Sequence, residues 1–262
     1  MASRRDPYRV GSIERAMEIL KCFSVTRPEL GVSEIAGRLR MPRSSAHRLL
    51  AALKRSGFLE QDGKTSRYRL SLRLFEMGSV VLNTMELPAR ARPVLEELQR
   101  HTGETVHLAI LDEGQVLYVD KIDSSRGVRM YSQVGRRAPA HCTGLGKVLL
   151  AYLPQEEVER IIALRGLPVY TRNTIASPEA LRAELEEVRR RGYAIDRGEH
   201  EDLIACAAAP IRDYTGKVIA AVSVTAIGVP WDAPAFQGYI AAAAGAADRI
   251  SRAMGYGAGS TR

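Results

Sequence analysis

Three short segments near the start of the chain repeat one spacing. Ile13, Ala16, Met17 and Leu20 fall at i, i+3, i+4 and i+7, as do Val32, Ile35, Ala36 and Leu39, and again Ala46, Leu49, Leu50 and Leu53. That period lines each set along one side of a helix, and three helices with one apolar stripe each can close over a shared core. Ser33 stands where an N-cap of the second helix is expected. Only Arg40-Met41-Pro42-Arg43 separates the second helix from the third, and Pro42 cannot extend a helix that precedes it. Two short helices joined so tightly form a helix-turn-helix.

With its stripe buried, the third helix presents Arg43, Ser44, Ser45, His47 and Arg48 outward at its start. These are hydrogen-bonding side chains of the kind that reach base edges and phosphates when a helix enters the major groove. A plain solvated face, with Ser44 as a simple cap, would use the same residues, so the helix alone does not decide. The next segment does. Phe58–Gln61 and Thr65–Leu70 read as two short strands around an Asp-Gly turn at Asp62-Gly63-Lys64, a hairpin carrying Lys64, Arg67 and Arg69. A basic hairpin after a helix-turn-helix is a wing suited to the DNA backbone.

Charge supports this division. Residues 1–73 hold 16 Lys and Arg against 7 Asp and Glu, whereas residues 74–262 hold 22 against 23. The whole net charge of +8 therefore belongs to the first quarter of the 262-residue chain, as expected of a polyanion-binding head on a near-neutral body. No apolar run approaches the ~18 residues of a membrane span, and no apolar stretch follows the basic N-terminal residues as it would in a secretory signal. Cys22, Cys142 and Cys206 are far apart, with no CxxC pair, so a reduced, cytoplasmic protein is expected.

Residues 71–100 have a helical pattern, with Leu72, Phe75, Ser79 and Leu82 on one side, a break at Pro88, and Val94, Leu95 and Leu98 on a second helix. Such a connector either pairs with a symmetry mate, spacing two reading heads for a palindrome, or packs on its own chain. From residue 104 the pattern turns to strands. Val106, Leu108 and Ile110 alternate, Asp112-Glu113-Gly114 turns, and Val116 and Tyr118 return. Helices are predicted at 143–153, 155–164 and 178–191, the last capped by Ser177, followed by a hairpin over Cys206–Arg212 and Lys217–Ala226 and a final helix at 235–253. The fold class is α+β, a winged helix-turn-helix followed by an α/β domain with a largely antiparallel sheet.

Signs of catalysis are weak. Gly144-Leu145-Gly146-Lys147 lacks the first glycine of a phosphate loop (His141 stands there) and has Val148 in place of the magnesium-binding hydroxyl. Cys206 could pair with His141 or His200 as a thiolate nucleophile, but it lies in the apolar run CAAAPI, where a structural cysteine is the commoner case. The histidines and cysteines show no zinc-ligand spacing, so neither metal nor cofactor is expected.

Four stretches are specific enough to place the chain beside a known family: VGSIERAMEIL, VSEIAGRLRMPRSSAHRLLAALKRSGFLEQ, APAHCTGLGKVLLAYL and CAAAPIRDYTGKVIAAVSVT. In this order and spacing the chain resembles the IclR (isocitrate lyase regulator) family of bacterial transcription factors. The resemblance implies a DNA-binding winged helix over 1–73, linker and dimerisation helices over 74–100, and a GAF-like effector-binding domain over 101–262. It further implies a homodimer or tetramer on a palindromic operator, no enzymatic activity, and a small organic-acid effector. On matching positions the effector contacts would be Met130, Ala138, Gly144, Leu145, Asp196, Cys206, Ser223 and Thr225. The RRAPAHCTGLGKVLLA stretch is similar to members that control aromatic-acid breakdown, which puts aromatic acids among the candidates. The chain departs from the family where an acidic run is interrupted by Arg197, Gly198 and His200, and where Leu203-Ile204-Ala205 replaces Gly-Val-Arg. Two other readings compete with a ligand-responsive regulator: a Cys206-dependent enzyme fused to a DNA-binding head, and an architectural DNA-binding protein without a ligand.

Overall fold

The computed structural model describes residues 10–84, 86–126 and 132–257. The chain divides into two units, Met1–Thr84 and Met85–Arg262.

In the first unit, helices α1 (Gly11–Lys21), α2 (Val32–Arg38) and α3 (Arg43–Arg55) close over Ile19, Phe23, Leu30, Ile35, Leu50, Leu53, Leu59 and Tyr68. The second and third stripes bury as their period predicts, but the first is out of phase. Ile19 is fully buried while Ile13 and Met17 are 58% and 46% exposed. Helix α1 carries apolar residues on two faces, and the core takes the one that continues into Phe23. Ser33 is not the cap of α2. The N-cap lies two residues earlier, at Gly31, whose N–H donates to Glu34 Oε2 at 2.7 Å.

The hairpin exists but is not a two-residue turn. Strands β2 (Leu59–Gln61) and β3 (Tyr68–Leu70) are joined by a longer loop, in which Asp62 Oδ1 accepts from Lys64 N, Thr65 N and Thr65 Oγ1. A short strand, β1 (Glu29–Leu30), which the sequence did not signal, pairs with β3 and makes it central in the order β1-β3-β2. Helix α4 (Leu72–Thr84) completes the unit and leaves Leu72, Phe75, Met77 and Val80 exposed. The side chains of Ser79 and Leu82 lie outside the described residues.

In the second unit, six antiparallel strands run in the order β6-β5-β4-β9-β8-β7: β4 (Thr105–Asp112), β5 (Gln115–Ile122), β6 (Arg137–Pro139), β7 (Ala194–Arg197), β8 (Ile204–Arg212) and β9 (Val218–Ile227). Helix α5 (Glu86–Thr102) takes Pro88 in its first turn, where a missing N–H costs nothing, rather than being broken there. With α9 (Pro234–Ala253), α5 covers one face of the sheet, burying Leu95, Leu98, Val106, Leu108, Val222 and Val224. Helices α6 (Gly144–Ala151), α7 (Gln155–Arg165) and α8 (Pro178–Arg191) cover the other face. Ser177 caps α8, accepting from Ala180 N at 3.2 Å, as its sequence predicts.

Candidate functional site

Two surfaces combine the named residues, one in each unit. On the first, α3 starts at Arg43 after Pro42, which offers no side-chain cap, and its first turn holds no acidic residue. By contrast α2, α7 and α8 each begin with a glutamate in the first turn. The N–H groups at the start of α3 and its positive dipole end are thus uncompensated, a setting that favours phosphate. Arg43, Ser44, His47 and Arg48 are exposed there and Ser45 is half-buried, with Ala46 and Leu50 fixed in the core behind them.

The wing differs from its sequence expectation in charge. Lys64 stands exposed on the loop. Arg67 is held by Glu34 at 2.8 Å and donates to Glu29 O, and Arg69 pairs with Glu60 at 2.8 Å. Both arginines of the hairpin therefore already have carboxylate partners.

On the second unit, Ala138, Gly144, Leu145, Asp196, Cys206, Ser223 and Thr225 line one cavity of about 200 Å³ between the sheet and the start of α6. Met130 lies outside the described residues. Register explains the convergence. Asp196 sits opposite Cys206, and Cys206 opposite Thr225, so a row of three pocket side chains crosses β7, β8 and β9. A second row sets His107 on β4 opposite Ser223. Facing residues of an antiparallel pair point to the same side.

His107, Tyr118, Ser132, Thr143 and His200 also line the cavity and were not anticipated. The signal that finds His107 is its cross-strand partner Ser223, which becomes visible only once β4 and β9 are paired. Its imidazole bridges Ser132 Oγ (2.8 Å) and Thr225 Oγ1 (3.2 Å). Burial, with Lys121 nearby, lowers its pKa to about 3, so the ring is neutral. Burial acts the other way on Asp196, raising its carboxyl to about 7 although it accepts from Glu199 N at 2.8 Å.

The glycines of the Gly144-Leu145-Gly146-Lys147 segment serve packing. A Cβ on Gly146 would lie 2.2 Å from Ala140 O, so only glycine lets α6 cross the preceding chain so closely. Thr143 caps the helix, accepting from Gly146 N, which leaves the N–H groups of Gly144 and Leu145 at the cavity. Lys147 points away from any phosphate position. Its ammonium is fully buried and bonded to Ile195 O (2.6 Å), Glu199 Oε1 (2.5 Å) and Glu184 Oε1 (3.3 Å). Burial would raise Glu184, but Lys147, Arg197 and Arg191 more than offset it and hold the carboxyl below its usual range.

Cys206 is no thiolate. Burial pushes its thiol up to about 12, its contact is with Thr225 Oγ1, and His141 bonds Pro168 O instead. Among the described residues no helix is long and apolar enough to cross a membrane, and no cluster of His, Cys, Asp or Glu is arranged to hold a metal.

Comparison with known proteins gives matches at both ends of the chain. The IclR helix-turn-helix domain model matches residues 12–63, and the model of the bacterial transcriptional regulator IclR C-terminal domain matches residues 79–252. The HTH-type transcriptional regulator KdgR of Escherichia coli is 38% identical over 252 residues, covering 96% of this chain and 95% of its own. The crystal structure of the Thermotoga maritima IclR is 33% identical with a TM-score of 0.75, covering 95% of this chain and all of that one. An IclR homolog from Microbacterium hydrocarbonoxydans, solved in complex with 4-hydroxybenzoate, is 30% identical with a TM-score of 0.81 over 93% of this chain and 99% of its own.

Proposed function

The chain belongs to the IclR family of bacterial transcriptional regulators, DNA-binding proteins rather than enzymes, and from that premise we propose that a small organic acid in the cavity sets how tightly its α3 surface holds a palindromic operator. The observation that carries this reading is the convergence of seven matched positions on one cavity at the uncovered N–H groups of α6, which suit a carboxylate. A similar protein solved with 4-hydroxybenzoate supports an acid as the ligand class.

In this reading residues 1–73 bind DNA, 74–100 link and dimerise, and 101–262 sense the effector. Arg43, Ser44, Ser45, His47 and Arg48 read the major groove, and Lys64 holds a phosphate. Arg67 and Arg69 add less than their charge suggests, because Glu34 and Glu60 already neutralise them. The exposed Leu72, Phe75 and Val80 give a homodimer apolar surface to bury, and two heads one helical turn apart match a palindrome. The regulated genes belong to a catabolic operon in the cytoplasm.

Binding of the full chain to the DNA upstream of its own gene, followed by fluorescence anisotropy with and without candidate acids, tests the reading. A coupling of ~1–3 kcal/mol, or roughly 5- to 150-fold in affinity, is expected. An acid that binds the protein yet leaves operator affinity unchanged contradicts it.

A further inference from the structure

A second cavity lies in the same unit, on the far side of the chain that leads from β6 into α6. It encloses about 270 Å³, against about 200 Å³ for the effector cavity, and the two share no described lining residue. The wall between them is one stretch of chain. Ala138, Thr143 and Gly144 line the first cavity, and Pro139, Ala140 and His141 line the second.

Helix α6 supplies Leu150 to this cavity, α7 supplies Ile161 and Ile162, and α8 supplies Leu181. These side chains are aliphatic, and no Asp or Glu is among the described lining residues, so a cation would find no partner. Leu164 and Tyr170 also line it yet stay exposed, so the cavity opens to solvent beside them.

One polar atom of a buried side chain is left over here. His141 is only 5% exposed, and its Nε2 lies 3.0 Å from Pro168 O. A carbonyl only accepts, so Nε2 carries the proton. Burial lowers the pKa of the ring and keeps it neutral, which makes Nδ1 an acceptor. Nδ1 has no hydrogen-bond partner among the described residues, and unlike Glu199 Oε2 it is not sealed from solvent. The Arg165 guanidinium is turned to Glu113 O instead, at 3.0 and 2.7 Å. A water on Nδ1 would leave the aliphatic walls wet, whereas a donor carried on an apolar body satisfies both.

The chain between α7 and α8 reaches both cavities. Its Leu167, Pro168 and Tyr170 line the second. Thr171 Oγ1 donates to Gly198 O and Thr174 Oγ1 to Glu199 O, each at 2.6 Å. Glu199 N donates to Asp196, and the Tyr170 ring meets His200 edge-on with centroids 5.0 Å apart; Asp196 and His200 both line the effector cavity.

We infer that the second cavity is a further small-molecule site, for a neutral phenol: its hydroxyl donates to His141 Nδ1 and its ring lies among Leu150, Ile161, Ile162 and Tyr170. Occupancy tightens the chain over 166–177 and, through it, the Asp196 and His200 wall of the first cavity. The site does not depend on what the first cavity binds.

Calorimetric titration of the full chain with p-cresol, and with 4-methylanisole, in which methylation removes the donor, tests the site. One p-cresol per chain is expected, with a Kd below ~1 mM and about tenfold below that of 4-methylanisole. Ile162→Trp fills the cavity and is expected to abolish binding of both. His141→Phe is expected to weaken p-cresol to the level of 4-methylanisole, and either variant suffices if the other fails to fold. Saturating p-cresol is expected to slow amide hydrogen exchange over 166–177 and 196–200. No binding of p-cresol, equal binding of the two compounds, or p-cresol binding unchanged by these variants overturns the site. Binding that leaves exchange over 196–200 unchanged overturns its link to the first cavity.

Discussion

Replacing Lys147 by methionine removes a buried cation and leaves its partners in place. The ammonium is fully enclosed and joins α6 to α8 through Glu184, to β7 through Ile195 O and to the segment after β7 through Glu199. Glu184 keeps Arg191 at 2.8 Å and Arg197 at 3.3 Å, so it loses little. Glu199 does not have that reserve. Its side chain is 2% exposed, its Oε2 has no hydrogen-bond partner among the described residues, and Arg197 lies 3.9 Å from Oε1. Breaking a buried pair on one side costs about 3–5 kcal/mol, because the remaining charge is left uncompensated. Against a total of about 5–15 kcal/mol for a domain, that is a large share. Adding Glu199→Gln removes the stranded charge and should return about 2 kcal/mol or more, a coupling to be read from a double-mutant cycle. Urea unfolding followed through Trp231, the sole tryptophan, reports on this unit, since its ring lies 5.3 Å from the Arg197 guanidinium. A cost below about 1 kcal/mol for Lys147→Met, or no recovery in the double variant, would refute the reasoning.

Other perturbations test separate parts of the account. Asp196, raised to about 7 by burial, stays protonated in the folded chain where the unfolded chain is ionised, so its contribution to stability falls as pH rises from about 4 to about 7. His107, lowered to about 3, has the opposite sign, and its contribution is lost as pH falls from about 6.5. Asp196→Asn should therefore gain on the native chain between pH 5 and pH 7 and level off above it, by on the order of 2–4 kcal/mol at the end, in urea midpoints; a constant difference across that range contradicts the assignment. Gly146→Ala should cost about 3 kcal/mol or more and abolish ligand binding, because the added carbon meets backbone at Ala140, and wild-type melting of that variant would contradict the packing argument. Lys64→Ala should weaken all DNA alike and lower the log–log salt slope by about one, whereas a change confined to the preferred sequence would make Lys64 a base reader.

How much was legible in the sequence depends on the range of the interaction. Helices α2, α3, α7, α8 and α9 were readable because their period, caps and breakers are local, and Ser177-Pro178 specifies its helix start within a few residues. Helix α1 was misphased since Ile13 and Ile19 offer competing faces, and the choice between them is made by Phe23 and the facing helices. Strands β1, β6 and β7 have two to four residues, too few for an alternation to register, and they lack the Asp-Gly turn that marks the equally short β2 and β3; they exist because a neighbouring strand presents an edge. The cavity positions came from a family resemblance, not from pattern. Bringing Asp196, Cys206, Thr225, Ser223 and His107 together requires the register of four strands, and no local signal encodes that. The neutralised Arg67 and Arg69 teach the same lesson for charge, since a basic run in sequence says nothing of the glutamates that α2 and the β2–β3 pairing bring alongside.

The account rests on α3 as the element that reads DNA sequence. Selection of bound fragments from a random duplex pool, run with the native chain and with Arg48→Ala, tests this most directly. The native chain is expected to enrich a palindrome with half-sites about one helical turn apart, and the variant to retain salt-sensitive binding with that enrichment gone. The same palindrome recovered by Arg48→Ala, or no enriched sequence from the native chain, would contradict it.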